Sequence, residues 1–211
     1  MPGWSLQRVV GRANGEKLSA LAWNRDPREI QTRRRAQSAG AQSALGKKPA
    51  VEKVFRPTLR HLADRVATRL RAKSRPGRTV AVRVRFADLR SVTRSITLDA
   101  PISATTSIAE IAEELVCAAL ADHPHERTVS LLGISVSHLE RHWDVQLELP
   151  MGLEVEHRRP GSKSGMARWA ADRAIDKIRD RFGWEAVEYG STLGLSLSVP
   201  DEFRELAEKD L

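Results

Sequence analysis

Between Thr79 and Phe86 the chain alternates: Val80, Val82, Val84 and Phe86 fall on one side of an extended backbone, and Ala81, Arg83 and Arg85 on the other. A period of two predicts a strand with one buried face, and here the opposite face is basic. The following SVTRSITL sets Ser91, Thr93, Ser95 and Thr97 against Val92, Ile96 and Leu98, but Arg94 falls among the apolar set and periodicity does not account for it. On either side of this pair the period becomes helical. From Val54 onward Leu59, Leu62, Ala63, Val66 and Leu70 recur at three and four, with Arg60, Arg65, Arg69 and Arg71 between them, until KSRPG ends the pattern. Ser107 followed by Glu110 reads as a capping box for a second helix with Ile108, Ile111, Ala112, Leu115 and Ala119 inward. AQSAGAQSAL, after Arg33-Arg34-Arg35, reads as extended, and TVSLLGISVS at 128–137 as a closing strand. The order from Arg33 to Ser137 is therefore strand, helix, strand, strand, helix, strand, one three-element unit used twice. It predicts an α+β fold: a small four-stranded antiparallel sheet with two helices on one face and the other face free to bind.

The flanks carry weaker patterns. Residues 4–24 show helical spacing at Leu6, Val9, Val10, Ala13, Leu18, Leu21 and Ala22, interrupted near Asn14-Gly15, which predicts one or two short helices without a core of their own. HRRPGSKSG reads as a linker, and ARWAADRAIDKIRDRFG as an amphipathic helix with Ala171, Ile175, Ile178 and Phe182 on its apolar stripe. A last short helix is expected from Pro200, with Asp201 and Glu202 in its first turn. Between strand and linker lies QLELPMGL, Gln146 to Leu153, whose proline and spaced leucines suit an extended apolar peptide at the domain's exit. The expected divisions are 1–30, 31–145, 146–153, 154–168 and 169–211.

Charge sharpens the picture. The 211 residues carry a net +8, and residues 53–94 hold thirteen Lys/Arg against two Asp/Glu, a local +11. Residues 101–126 and 185–211 are each at −5, so the positive charge forms a patch suited to a polyanion. Arg83 and Arg85 on the open strand face, beside the hydroxyls of Thr93 and Ser95, suit phosphates. One Tyr and four Phe are few for stacking single-stranded bases, so duplex backbone is the better fit. Other chemistry finds little support. His123, His125 and Glu126 in DHPHER lack a second ligand pair at zinc spacing, PGSKSG lacks the spacing of a phosphate loop, and Glu113-Glu114 and Asp201-Glu202 read as helix-surface letters. Cys117 reads as a small buried apolar residue. No disulfide framework, signal pattern or long apolar run is visible, so a soluble cytoplasmic chain without a membrane partner is expected.

Four blocks together resemble one family, the Y-family translesion DNA polymerases of the DNA polymerase IV type. LSALAWNRDPREI resembles the end of that family's thumb, with Ala22, Asp26 and Arg28 matching and Asn24 where glycine is usual. QSAGAQSAL resembles the entry to its little-finger domain, keeping Ser38 and Gly40 while Gln42, Ala44 and Leu45 depart. VRVRFADLRSVTRSITL is the closest match, including Thr93-Arg94-Ser95, and VSLLGISVSHL resembles the domain's last strand, with Ser130 where a basic residue is frequent. The resemblance implies a little finger that lies along primer-template duplex and touches its phosphates through Ser38, Gly40, Arg83, Arg85, Thr93, Arg94 and Ser95. It also implies that QLELPMGL hooks the sliding clamp, Gln146 at the groove edge and Leu147, Leu149 and Met151 in apolar pockets. The family's Mg2+-binding carboxylates belong to palm and fingers segments that would precede Met1. The expectation for this chain alone is therefore no catalysis, no catalytic residue, no metal and no cofactor. Two alternatives stay open: a stand-alone regulator that binds DNA and clamp, or one half of a split polymerase whose catalytic half is a separate chain.

Overall fold

The computed structural model describes residues 3–29, 36–140 and 162–192. The peptide at 146–153 and the helix expected from Pro200 lie outside the described residues. The chain divides into two compact units, 1–35 and 36–211.

The smaller unit is a pair of helices, α1 (Gly3–Val10) and α2 (Arg12–Ala22). The break falls at Gly11, whose φ of +83° suits a residue without Cβ, and not at Asn14-Gly15 as the spacing suggested. Gly15 instead lies inside α2 where the helices touch: a Cβ there would come within 2.5 Å of the Gln7 Cα. Asn24 sits at φ +55°, a conformation that asparagine tolerates and that explains why it can replace glycine after the helix. Trp4, Val9, Leu18 and Trp23 are exposed, as befits a unit too small to bury them.

The larger unit has the expected order: β1 (Ser38–Pro49), α3 (Glu52–Ala72), β2 (Gly77–Phe86), β3 (Ser91–Ile102), α4 (Thr105–Ala121) and β4 (Thr128–Leu139). The strands form one antiparallel sheet in the order β1-β4-β2-β3. Each half of the duplicated unit therefore contributes one interior and one edge strand. The inward side chains of β2, Val80, Val82, Val84 and Phe86, are buried against Leu59, Leu62, Val66 and Leu70 of α3 and Ile108, Ile111, Ala112 and Val116 of α4. Each fully buried aliphatic or aromatic side chain stabilises by about 1.5–3 kcal/mol in transfer terms, which makes this layer the source of the unit's cohesion.

Three expectations need correction here. Ser107 and Glu110 do not cap α4. The helix begins three residues earlier, with Ala104 as its N-cap and no side-chain cap of its own, and Ser107 and Glu110 both bond the Arg168 guanidinium. The capping acceptor is Asp172, far along the chain, whose Oδ2 takes the Thr105 N–H at 2.7 Å. Cys117 is exposed, on the outer side of α4 beside Glu113, and partial shielding from water, together with that carboxylate, pushes its thiol pKa up.

The third correction concerns the segment after 161. A helix, α5 (Lys163–Phe182), starts inside the expected linker, with Ser162 Oγ accepting from the Gly165 N–H at 3.0 Å. Its apolar stripe is mostly left outside: Ala171, Ile178 and Phe182 are exposed and Ile175 is half-buried, while the positions it buries are Gly165, Asp172 and Arg179. The reason is the surface it meets. Asp64 and Arg71 of α3 are buried charges. Arg179 answers the first with two bonds of 3.0 and 2.8 Å, while Asp172 and Asp176 answer the second at 3.1 and 2.7 Å. A buried guanidinium or carboxylate needs such a partner far more than an alanine needs cover. Trp184, in a 3-10 turn after α5, stacks 4.0 Å from the Arg179 guanidinium and completes the contact.

Candidate nucleic-acid interface

With α3 and α4 on one face of the sheet, alternation sends every second side chain to the other face, and the register aligns them in four rows. One row runs Ser38, Ser137, Thr79, Thr97; the next Gly40, Ser135, Ala81, Ser95; the third Gln42, Gly133, Arg83, Thr93; and the last Ala44, Leu131, Arg85, Ser91. The rows are rich in hydroxyls, hold no carboxylate, and set both arginines on one interior strand. Over the middle rows the small side chains leave a shallow concavity of about 410 Å³.

Arg83 is exposed, and one Nη donates to Ser91 Oγ at 3.3 Å; Arg85 is half-buried, and its Nε donates to Ser130 Oγ at 3.1 Å. Neither meets a carboxylate among the described residues, and each keeps donors of its five-donor fork for a ligand. Other arginines at the rim are occupied: Arg90 pairs with Glu126 and Arg78 with Glu140. At the far end Thr79 Oγ1 bonds both Thr97 Oγ1, at 2.9 Å, and His138 Nδ1, at 2.7 Å, which locks three strands side to side.

Ser38, Gly40, Arg83, Arg85, Thr93 and Ser95 thus share the open face. Arg94 does not join them. It pairs across the ladder with Val82, a core residue, so it points to the helix side, where its guanidinium reaches Asp122 at the end of α4 at 2.6 Å and holds that carboxyl below the usual range. An arginine is tolerated in that apolar set because β3 is an edge strand and half of its inner face lies beyond the core. Gln42, Gly133 and Ser135 are members of the face that sequence reasoning missed. The alternation marks the face of each strand, but only the register brings Gln42 next to Gly133 and Arg83.

Residues 36–149 match the model of the impB/mucB/samB family C-terminal domain. The chain belongs to this family. It is 71% identical over 208 residues to DNA polymerase IV 2 of Mesorhizobium japonicum, an alignment covering 98% of this chain and 50% of that protein. It is 31% identical over 188 residues to DNA polymerase IV of Desulfatibacillum aliphaticivorans, covering 87% of this chain and 43% of the relative. The chain therefore spans about half the length of the curated relatives it matches. Among solved structures a Y-family DNA polymerase chimera shares the fold, with a TM-score of 0.52 and 18% identity over 67% of this chain and 39% of that one. The resemblance read from the sequence blocks is thereby shown, as is the α+β little-finger fold. Among the described residues no helix is long and apolar enough to cross a membrane.

Proposed function

We propose that this chain is the duplex-binding, clamp-docking portion of a translesion polymerase of the DNA polymerase IV type, and that the 211 residues alone incorporate no nucleotide. The observation that carries the reading is the four-row open face: two arginines on an interior strand, hydroxyls on both sides and no carboxylate. Such a surface holds phosphates by charge and hydrogen bonds, the contacts that position a protein on a duplex without reading its sequence. The clamp-docking part rests on QLELPMGL and its place after the domain, where Leu147, Leu149 and Met151 would enter apolar pockets and Gln146 would bond at their edge.

The test is a salt titration of duplex binding by the purified chain. If about four phosphates are neutralised, log affinity falls against log salt with a slope of about −3.6, independent of sequence. Changing Arg83 and Arg85 to alanine shallows that slope by up to about two units. An unchanged slope removes the open face from the reading. Clamp binding that survives Leu147→Ala with Leu149→Ala removes the peptide.

A further inference from the structure

A glycine inside a strand weakens it, by backbone entropy and by the missing side chain, so its presence asks for a cause. At Gly77 the fold supplies one: a Cβ would stand 2.5 Å from Val136 Cγ1 and 2.8 Å from the Ser137 carbonyl oxygen. Among the described residues Gly133 has no such cause. A Cβ there would meet Gln42 Cβ at 3.4 Å, the Ala41 oxygen at 3.6 Å and Arg83 Cβ at 3.8 Å, all ordinary contacts, and its φ lies outside the left-handed region. The fold would accept a side chain at this position and gain from it. What excludes the side chain must approach from outside.

Gly133 sits at the middle of interior strand β4, on the open face, with Gln42 on one side, Arg83 on the other and Thr93 one strand further. The concavity lies over it and over Gly40, Ala81 and Ser135. We propose that Gly133 is the seat of a single phosphodiester, the point where a nucleic-acid backbone comes closest to the sheet, with its phosphate held between the Arg83 guanidinium and the Gln42 carboxamide. This rests on the reading of the open face as a nucleic-acid interface and adds to it one position and one requirement, that the position carry no side chain. The guanidinium supplies charge-assisted donors, the carboxamide NH2 supplies a neutral one, and although Gly133 itself is buried between its neighbours, the absence of a side chain there leaves the concavity above it open for a phosphate to reach both. A branched side chain at 133 would lift the phosphate off these donors.

The experiment compares wild type, Gly133→Ala and Gly133→Leu by thermal unfolding and by binding to a short duplex across a range of salt. Gly133→Ala should unfold at or above the wild-type temperature and bind several-fold more weakly. Gly133→Leu should bind at least tenfold more weakly and lose about 0.9 from the salt slope, the share of one phosphate. Wild-type binding with undiminished binding by both variants overturns the seat and leaves the interface standing. A wild-type chain that binds no duplex overturns the interface and the seat together. If Gly133→Leu unfolds, Gly133→Ala decides: a stable variant with wild-type affinity and slope rejects the proposal.

Discussion

Where α3 and α4 meet the sheet, contact is made by Leu, Ile, Val, Ala and Phe with hardly a polar atom; where α5 meets α3, it is made by buried ion pairs while Ala171, Ile178 and Phe182 of its apolar stripe stay exposed. The first contact is insensitive to detail, because any well-packed apolar set of the right volume would close it. The second is specific. Asp64 and Arg71 lie two turns apart on α3, and Arg179 and Asp172 lie two turns apart on α5, so the pairs form only with the helices antiparallel and in one register. Reversal would set arginine on arginine. Buried ion pairs contribute little net stability after desolvation but penalise wrong arrangements heavily, which suits a segment that must find one place on a finished domain. No residue of α5 belongs to the apolar core cluster.

The largest effect is expected from the core. Leu62→Ala removes a side chain with no exposed surface and should cost about 2–5 kcal/mol, seen in denaturant unfolding. Amides of the sheet and of α5 should lose exchange protection together. Arg71→Met should act differently. It strands Asp172 and Asp176 without their main cation, a loss of about 3–5 kcal/mol if α5 stays and less if it departs. Hydrogen exchange should then rise across 163–182 and at the Thr105 amide that Asp172 caps, with β2 and β4 unchanged. Equal loss of protection in sheet and α5 would show that the two contacts are one cooperative unit and erase the distinction.

The contrast also explains what the sequence could and could not disclose. The sheet was legible because alternation is local: Val80, Val82 and Val84 against Arg83 and Arg85 identify a strand and its two faces without any partner in view. Arg94 was not, since its face follows from the period but its tolerance follows from β3 lying at the edge. Ser107 and Glu110 carried the letters of a capping box, and a tertiary acceptor, Asp172, occupied the helix end instead. The apolar stripe of α5 was real but is left mostly exposed, with only Ile175 half-buried, because the surface it meets presents Asp64 and Arg71, whose burial no window around either residue signals. Gln42 and Gly133 became neighbours of Arg83 only through the register of three strands.

The smallest and most selective effect concerns Tyr189, the chain's single tyrosine, which reports on the α5 contact alone. Its hydroxyl donates to Asp172 Oδ1 at 2.8 Å, and the Arg60 guanidinium lies 5.3 Å from its ring centroid. Burial, and then the charge of Asp172, push its pKa well above the ordinary value of about 10. The neutral phenol is thus favoured in the docked state. Its contribution is fully present below about pH 10, where the undocked or unfolded phenol would also be neutral, and is lost as pH rises from there through the raised value. Phenolate absorbance should accordingly appear at higher pH in the native protein than in denaturant. Asp172→Asn, which removes the charge, should bring the native titration back toward the ordinary value, and Leu62→Ala should leave it in place wherever the domain is still folded. Coincident titrations in native and denatured protein would mean that Tyr189 is not held against Asp172, and the ionic contact would lose its hub.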